Sequence, residues 1–326
     1  MKPASLSQRP SVSLSLPEPP RTKLVVQPEL VETARSLADA SVSANTRRAY
    51  EGALRRLALW LWEHAVPLND ESLAAYIASV AAAGHAPPSA AMAVAAVKFR
   101  ARLTGKPSPV GVLTSQQLAG FRREHSGRGV GQVAGISWRV ADAVASIAER
   151  SDPSARGARD AAIISVASDA LLRVSEVAAL QVSDVEAEAP NTLTIRRSKT
   201  DQEATGSVAF LGDTTILRVR RYLEITGIET GFLFRGLTRS GQVLKSLSDR
   251  SIRQIIKDRA AAIDSIPGRV SGHSLRVGAA QSLAAAGASI ADMQAAGRWK
   301  SQAMPGYYSR GQLATRNAVA RLRYGR

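Results

Sequence analysis

Apolar residues recur at three- and four-residue steps along most of the chain, and only one region alternates. Tyr50, Leu54, Leu57 and Leu61 share one face of a helix that opens after Ser43 or Asn45. Leu73, Tyr76, Ile77 and Val80 line a second helix over 71–83, which Gly84 stops. Pro87-Pro88-Ser89 opens a third, with Met92, Phe99 and Leu103 inward, and 113–125 forms a fourth. Four glycines then fall within residues 126–135, an aperiodic stretch that reads as a linker. Beyond it, Ser137 caps a helix with Val140, Val144 and Ile147 inward, and 158–170 is apolar enough for a buried helix.

Alternation appears at Thr192-Leu193-Thr194-Ile195-Arg196, a β-branched stretch that predicts a strand, and again over 205–211, with 198–201 as the connection. Helical spacing returns at 214–226, 248–263, 275–286 and 290–296, and Ala314, Ala318 and Leu322 mark a short basic terminal helix. The pattern predicts a mainly α protein with a small antiparallel β-sheet. Its helical domain covers 41–125, its linker 126–135 and an α+β domain 136–326. Residues 1–40 lie outside that plan: they are rich in Ser and Pro up to Pro28, read as a disordered arm, with a short helix over 30–38.

Charge changes the picture. Lys and Arg number 43 against 27 Asp and Glu, a formal charge of +16, which points to a polyanion: nucleic acid first, an anionic membrane surface second. No apolar run reaches the ~18 residues of a spanning helix, and no secretory leader precedes the chain, so it reads as soluble and intracellular. The absence of cysteine excludes disulfides, thiol nucleophiles and thiolate-bound zinc. Four scattered histidines argue against an imidazole metal site. With a polyanion in view, Arg47, Arg48, Lys98 and Arg100 on outward helix faces become candidate phosphate contacts. Trp60 and Trp62 are assigned to a core or domain interface, with base stacking as the alternative.

Four stretches carry candidate chemistry. Val270-Ser271-Gly272-His273-Ser274-Leu275-Arg276 leads into an Ala-rich helix with Ser274 as its cap, so His273 and Arg276 sit around the first turn. The helix dipole does not favour cations there, and an anion held between them and the free N–H groups would offset the cost; a phosphodiester fits best. Arg173, between Leu172 and Val174, is expected to be partly buried and therefore partnered, by Glu176 or by a phosphate that Glu176 helps it to grip. Lys199, on the strand connection, is a solvated lysine or a mobile general acid. Tyr307 and Tyr308 point about 100° apart on a helix, so one alone can face a given target. Pro305 and Gly306 disfavour a continuous helix before them, which suggests a turn or a flexible segment.

Taken in order, Arg173, Lys199, His273, Arg276, Trp299 and Tyr308 resemble the sextet of the tyrosine recombinase, or phage integrase, family. Asn45-Thr46-Arg47-Arg48-Ala49-Tyr50 is similar to the opening helix of that family's core-binding domain, so the likeness spans about 41–326. The resemblance implies a C-shaped clamp of a helical core-binding domain and a catalytic domain. Arg173 and Arg276 would grip the scissile phosphate, His273 and Trp299 would donate to it, Lys199 would protonate the leaving 5′ oxygen and Glu176 would steady the site. Tyr308, rather than Tyr307, would become a 3′-phosphotyrosine, with no metal, ATP or other cofactor. The implied partner is double-stranded DNA at an inverted-repeat site, bound by a homotetramer in which the terminal helix docks into a neighbour or else folds back. The implied location is the cytoplasm, on the bacterial nucleoid. A type IB topoisomerase, a telomere resolvase, a catalytically silent DNA-binding relative and a non-specific nucleoid protein are the alternatives.

Overall fold

The computed structural model describes residues 29–30, 32–33, 36–37, 41–128, 131–196, 206–314 and 322–323. Lys199, most of the arm and Ala318 of the terminal helix lie outside them. The chain divides into two compact units, Met1–Gly131 and Gln132–Arg326.

The first unit contains helices α1 (Ala44–Glu63), α2 (Asp70–Ala82), α3 (Pro87–Leu103) and α4 (Val112–Glu124). Ser43 caps α1, its hydroxyl accepting from the Thr46 N–H, and Asn69 forms a reciprocal capping box with Ser72 on α2. Asp70 then reaches across to α4. Its carboxylate accepts from the backbone N–H groups of Gly111, Leu113 and Thr114 at 2.8–3.0 Å and from the Thr114 hydroxyl at 2.6 Å. The hydroxyl bond chiefly, and the backbone bonds with it, hold the Asp70 pKa down at about 2. Gly111 is needed at this junction, because a Cβ there would lie 2.4 Å from the Asp70 carboxylate.

The core of this unit departs from the sequence reading in α3. Its buried face is Ala90, Ala93, Val94, Ala96, Val97 and Ala101, while Met92 is exposed. Small residues let α3 approach α1 closely, and the larger side chains were a poor guide to its inward face. Trp60 packs edge-on against Tyr76 with centroids 5.6 Å apart, whereas Trp62 is 79% exposed and belongs to no core of its unit. Arg48, Lys98 and Arg100 are exposed and Arg47 is half-buried, Arg48 bonding Asn45 at 2.5 Å. Tyr50 of α1 meets Phe99 of α3 at 5.4 Å, so Arg47, one turn before Tyr50, and the cations flanking Phe99 border the same helix pair.

The second unit is built around α6 (Ala155–Asp169), whose residues from Gly157 to Ser168 are all buried. It packs against α5 (Trp138–Ser151), α8 (Asp213–Thr226) and α10 (Ser274–Ala285). The short α7 (Val174–Ala179), α9 (Asp249–Ala260), α11 (Ile290–Gly297) and α12 (Ala303–Ala314) complete the described helices. Strands β1 (Thr192–Ile195) and β2 (Ser207–Phe210) pair antiparallel with Thr192 opposite Phe210. Leu193 and Ile195 supply the buried face of β1, as alternation requires. Among the described residues no helix is long and apolar enough to cross a membrane.

A charged network ties α6 to α9. The Arg159 guanidinium donates to one Asp160 oxygen at 2.7 and 2.9 Å, and Arg259 donates to the other at 2.8 Å. Arg159 and Asp160 are both buried, so removing the carboxylate charge leaves the Arg159 guanidinium out of water without its ion-pair partner, while Arg259 keeps Asp152. Asp160→Asn should lower unfolding stability by about 3–5 kcal/mol, read from urea denaturation.

Candidate active site

The candidate side chains come from four separate segments of the second unit. Leu171, φ +47, turns the chain sharply between α6 and α7, and Arg173 occupies the N-cap of α7. Glu176, one turn in and buried, reaches back with both oxygens. Oε2 accepts the Arg173 backbone N–H at 2.9 Å, and Oε1 accepts the Arg173 guanidinium at 2.6 Å. Such a carboxylate at a helix N-terminus also meets the dipole favourably. Arg173 and Glu176 are thus locked together before any ligand arrives.

α10 supplies His273 and Arg276. The helix starts one residue earlier than its sequence suggests: His273 is the N-cap, and Ser274 is its first residue. Ser274 is buried, and its hydroxyl accepts the Ser271 N–H at 2.9 Å, closing the Ser271–Ser274 turn. Three residues on, Arg276 is 1% exposed. Its two terminal nitrogens donate to the carbonyl oxygens of Leu171 and Gly297, and its guanidinium carbon lies 4.5 Å above the Trp299 ring. Burial first, then the charge of Arg173, pulls the Arg276 pKa down to about 9. A guanidinium has five N–H donors, so two carbonyl bonds leave capacity for an anion.

Trp299 follows α11, and Gly297 makes room for it: a Cβ there would fall 2.0 Å from the indole. Its ring stands 5.8 Å from that of Tyr308. Tyr308 lies on α12, which runs unbroken through Met304, Pro305 and Gly306, against the break the sequence suggested. Pro305 falls in the first turn, where a missing N–H costs no helical bond. The buried Ser309 hydroxyl donates to the Pro305 carbonyl at 2.6 Å and fills an acceptor there.

The two tyrosines diverge as helical geometry demands. The Tyr308 hydroxyl is 3.0 Å from His273 Nε2, whereas Tyr307 is exposed and sits under the Arg310 guanidinium at 5.0 Å. Desolvation raises the Tyr308 pKa against the opposing pull of Arg276 and Arg173. The His273 pKa falls to about 4 through burial, then through the charges of Arg276 and Arg173. Its ring is therefore neutral at pH 7, so Nε2 can accept the hydrogen bond of the Tyr308 phenol.

His273, Tyr308, Trp299 and Arg276 thus form one chain of direct contacts and Arg173 with Glu176 another, and Arg298 and the Leu171 carbonyl link the two. Sequence reasoning missed four further participants. Gln132 and Gln281 donate to the Tyr308 carbonyl oxygen at 2.9 and 3.5 Å. Arg298 donates to Glu176 and to the Leu171 carbonyl, each at 3.3 Å. The Leu171 carbonyl itself leaves no residue-type signal, and neither glutamine falls in a motif. Arg298 had one signal, its place beside Trp299.

With this geometry in hand, the comparisons are specific. The model of the phage integrase family matches residues 139–313, more than half of the chain. Recombinase Cre of Escherichia phage P1 is 29% identical over 197 residues, covering 56% of this chain and 57% of the relative. The aligned region therefore spans little more than half the length of that curated relative. A Tn1549 transposon integrase in complex with transposon right end DNA superposes at a TM-score of 0.61 and 13% identity, over 88% of this chain and 98% of the other. A lambda integrase dimer bound to a core site gives 0.56 and 16%, over 86% and 76%. The fold is shared at identities where sequence alone carries little. The chain belongs to the phage integrase, or tyrosine recombinase, family.

Proposed function

We propose that the protein is a site-specific DNA recombinase that breaks and rejoins strands through a 3′-phosphotyrosine, using neither metal nor ATP. The observation that carries this reading is the Tyr308 hydroxyl held 3.0 Å from a neutral His273 in a cluster with Arg173 and Arg276. The DNA complexes among the structural neighbours support double-stranded DNA as the partner. The domain reading goes with it: a core-binding domain over 41–125, a linker over 126–135 and a catalytic domain over 136–326, with Arg47, Arg48, Lys98 and Arg100 on the backbone of an inverted-repeat site.

In the proposed step, His273 Nε2 takes the phenol proton as the Tyr308 oxygen attacks phosphorus. The bond to the 5′ oxygen breaks, and that oxygen leaves with the electron pair and takes a proton from Lys199. Arg173 and Arg276 neutralise charge on the non-bridging oxygens, and the Trp299 indole N–H donates to the same group. Arg suits this task because its planar fork pairs two oxygens at once. The new phosphotyrosine conserves the bond energy, so a 5′-hydroxyl from a second strand reverses the step without an external energy source. Rejoining between two sites calls for a homotetramer, with the terminal helix reaching into the neighbouring subunit. The work would be done at the bacterial nucleoid.

Nicked suicide DNA carrying the recovered target site provides the test. Wild-type protein should accumulate a covalent adduct that peptide mapping assigns to Tyr308. Tyr308→Phe should give none, and Tyr307→Phe should retain it. Adduct on Tyr308→Phe at the wild-type rate refutes the assignment, and adduct on the double Phe variant removes the mechanism.

The imidazole makes a separate prediction. In DNA-free protein the His273 ring should titrate near pH 4 by NMR, below its ordinary 6.5. Below pH 6.5 the unfolded chain then binds a proton that the folded one refuses, so this group's contribution falls as pH drops from 6.5 towards 4. His273→Gln should flatten that part of the stability curve; an unchanged slope would place the titration elsewhere.

A further inference from the structure

Arg298 has no role in the step above, yet it is built into the same cluster. It ends α11 with φ +53, in the left-handed region where glycine is free and a Cβ-bearing residue is strained. Its side chain is only 11% exposed. One end of it, Nη2, donates both to Glu176 Oε2 and to the Leu171 carbonyl oxygen, and Nη1 donates to the Ala296 carbonyl at 3.3 Å. Those first two acceptors are not arbitrary. Glu176 is the group that anchors Arg173, and the Leu171 carbonyl is one of the two that anchor Arg276.

Resting on the recombinase reading, we propose that Arg298 is a positioning residue, the crosspiece that sets the spacing of the two phosphate-gripping arginines by joining their supports. Its described contacts are with Glu176 and with the Leu171 and Ala296 carbonyls, not with Tyr308. The guanidinium holds Nη2 between its two acceptors while Nη1 rests on the Ala296 carbonyl, so the fork is fixed at both nitrogens; an ammonium has a single nitrogen on a flexible stem and lacks that second hold. Arg298 also contributes charge. Among the described residues, three guanidinium groups against one buried carboxylate leave two positive charges in excess, matching the dianionic phosphorane formed when phenolate adds to a phosphodiester. A steric cost at a C-cap that glycine would avoid is consistent with a residue retained for its side chain.

The experiment measures single-turnover adduct formation on the nicked suicide DNA, with DNA affinity and thermal unfolding measured on the same samples. Arg298→Gly removes the crosspiece and relieves the backbone, and Arg298→Asn does so with a second residue that tolerates the left-handed region. Both should form adduct roughly 10- to 100-fold more slowly, the size of one lost charge-assisted bond. DNA affinity should change little, and the unfolding temperature should not fall. Arg298→Lys should stay as slow as the other two, because charge without the planar bridge does not suffice. Full-rate cleavage by Arg298→Gly and Arg298→Asn overturns the proposal, as does rescue by Arg298→Lys or a loss that tracks unfolding. Absence of any Tyr308 adduct on wild-type protein would instead overturn the recombinase reading beneath it.

Discussion

The second unit depends on how a guanidinium is kept charged inside a protein. Arg276 is almost wholly removed from water, in a wall that includes Trp299 and the turn at Leu171. Desolvation of that charge would be prohibitive without partners, and the fold supplies two backbone carbonyls and an aromatic face rather than a carboxylate. The choice matters chemically. A directly paired carboxylate would cancel the positive field, whereas carbonyl dipoles hold the group in place and leave its charge available to an anion.

That requirement explains several local oddities together. Leu171 and Arg298 both adopt left-handed backbone, and these strained turns flank the two carbonyls on which Arg276 rests. Gly297 admits the indole, and Glu176 sits one step back, steadying Arg173 and Arg298 without touching Arg276 in the described contacts. Among the described residues, this carboxylate is thus placed where it orients cations while the cluster stays positive. Burial first, and the same positive field after it, lower the affinity of His273 for a proton, so one arrangement grips an anion and keeps a base neutral.

Tyr308 is held by a different kind of constraint. α12 packs on α10, and the Tyr308 carbonyl receives amide donors from Gln281 on that helix and from Gln132, in the segment that leads out of the linker. The same segment lies tight against α10, since a Cβ on Gly278 would fall 1.9 Å from the Ile136 carbonyl. The backbone of the tyrosine is therefore registered to the same helix that carries His273 and Arg276, which is how a 3.0 Å hydroxyl–imidazole distance can be maintained without a covalent tie.

Residue order and local pattern determined much of this. The helices of both units and the antiparallel β1–β2 pair were legible, because periodicity acts over a few residues, and the residue order shared with the family marked Arg173, Glu176, His273, Arg276, Trp299 and Tyr308 as the candidate site. Misreadings occurred where packing overrode local signals. Small residues rather than Met92 form the buried face of α3, and Pro305 was taken for a breaker although a first helical turn tolerates it. Tertiary structure alone decided which carbonyls carry Arg276, and that Arg298, Gln132 and Gln281 belong to the cluster. Those contacts join residues as much as 176 positions apart and are made largely to backbone oxygens, which every residue possesses and no sequence pattern can mark.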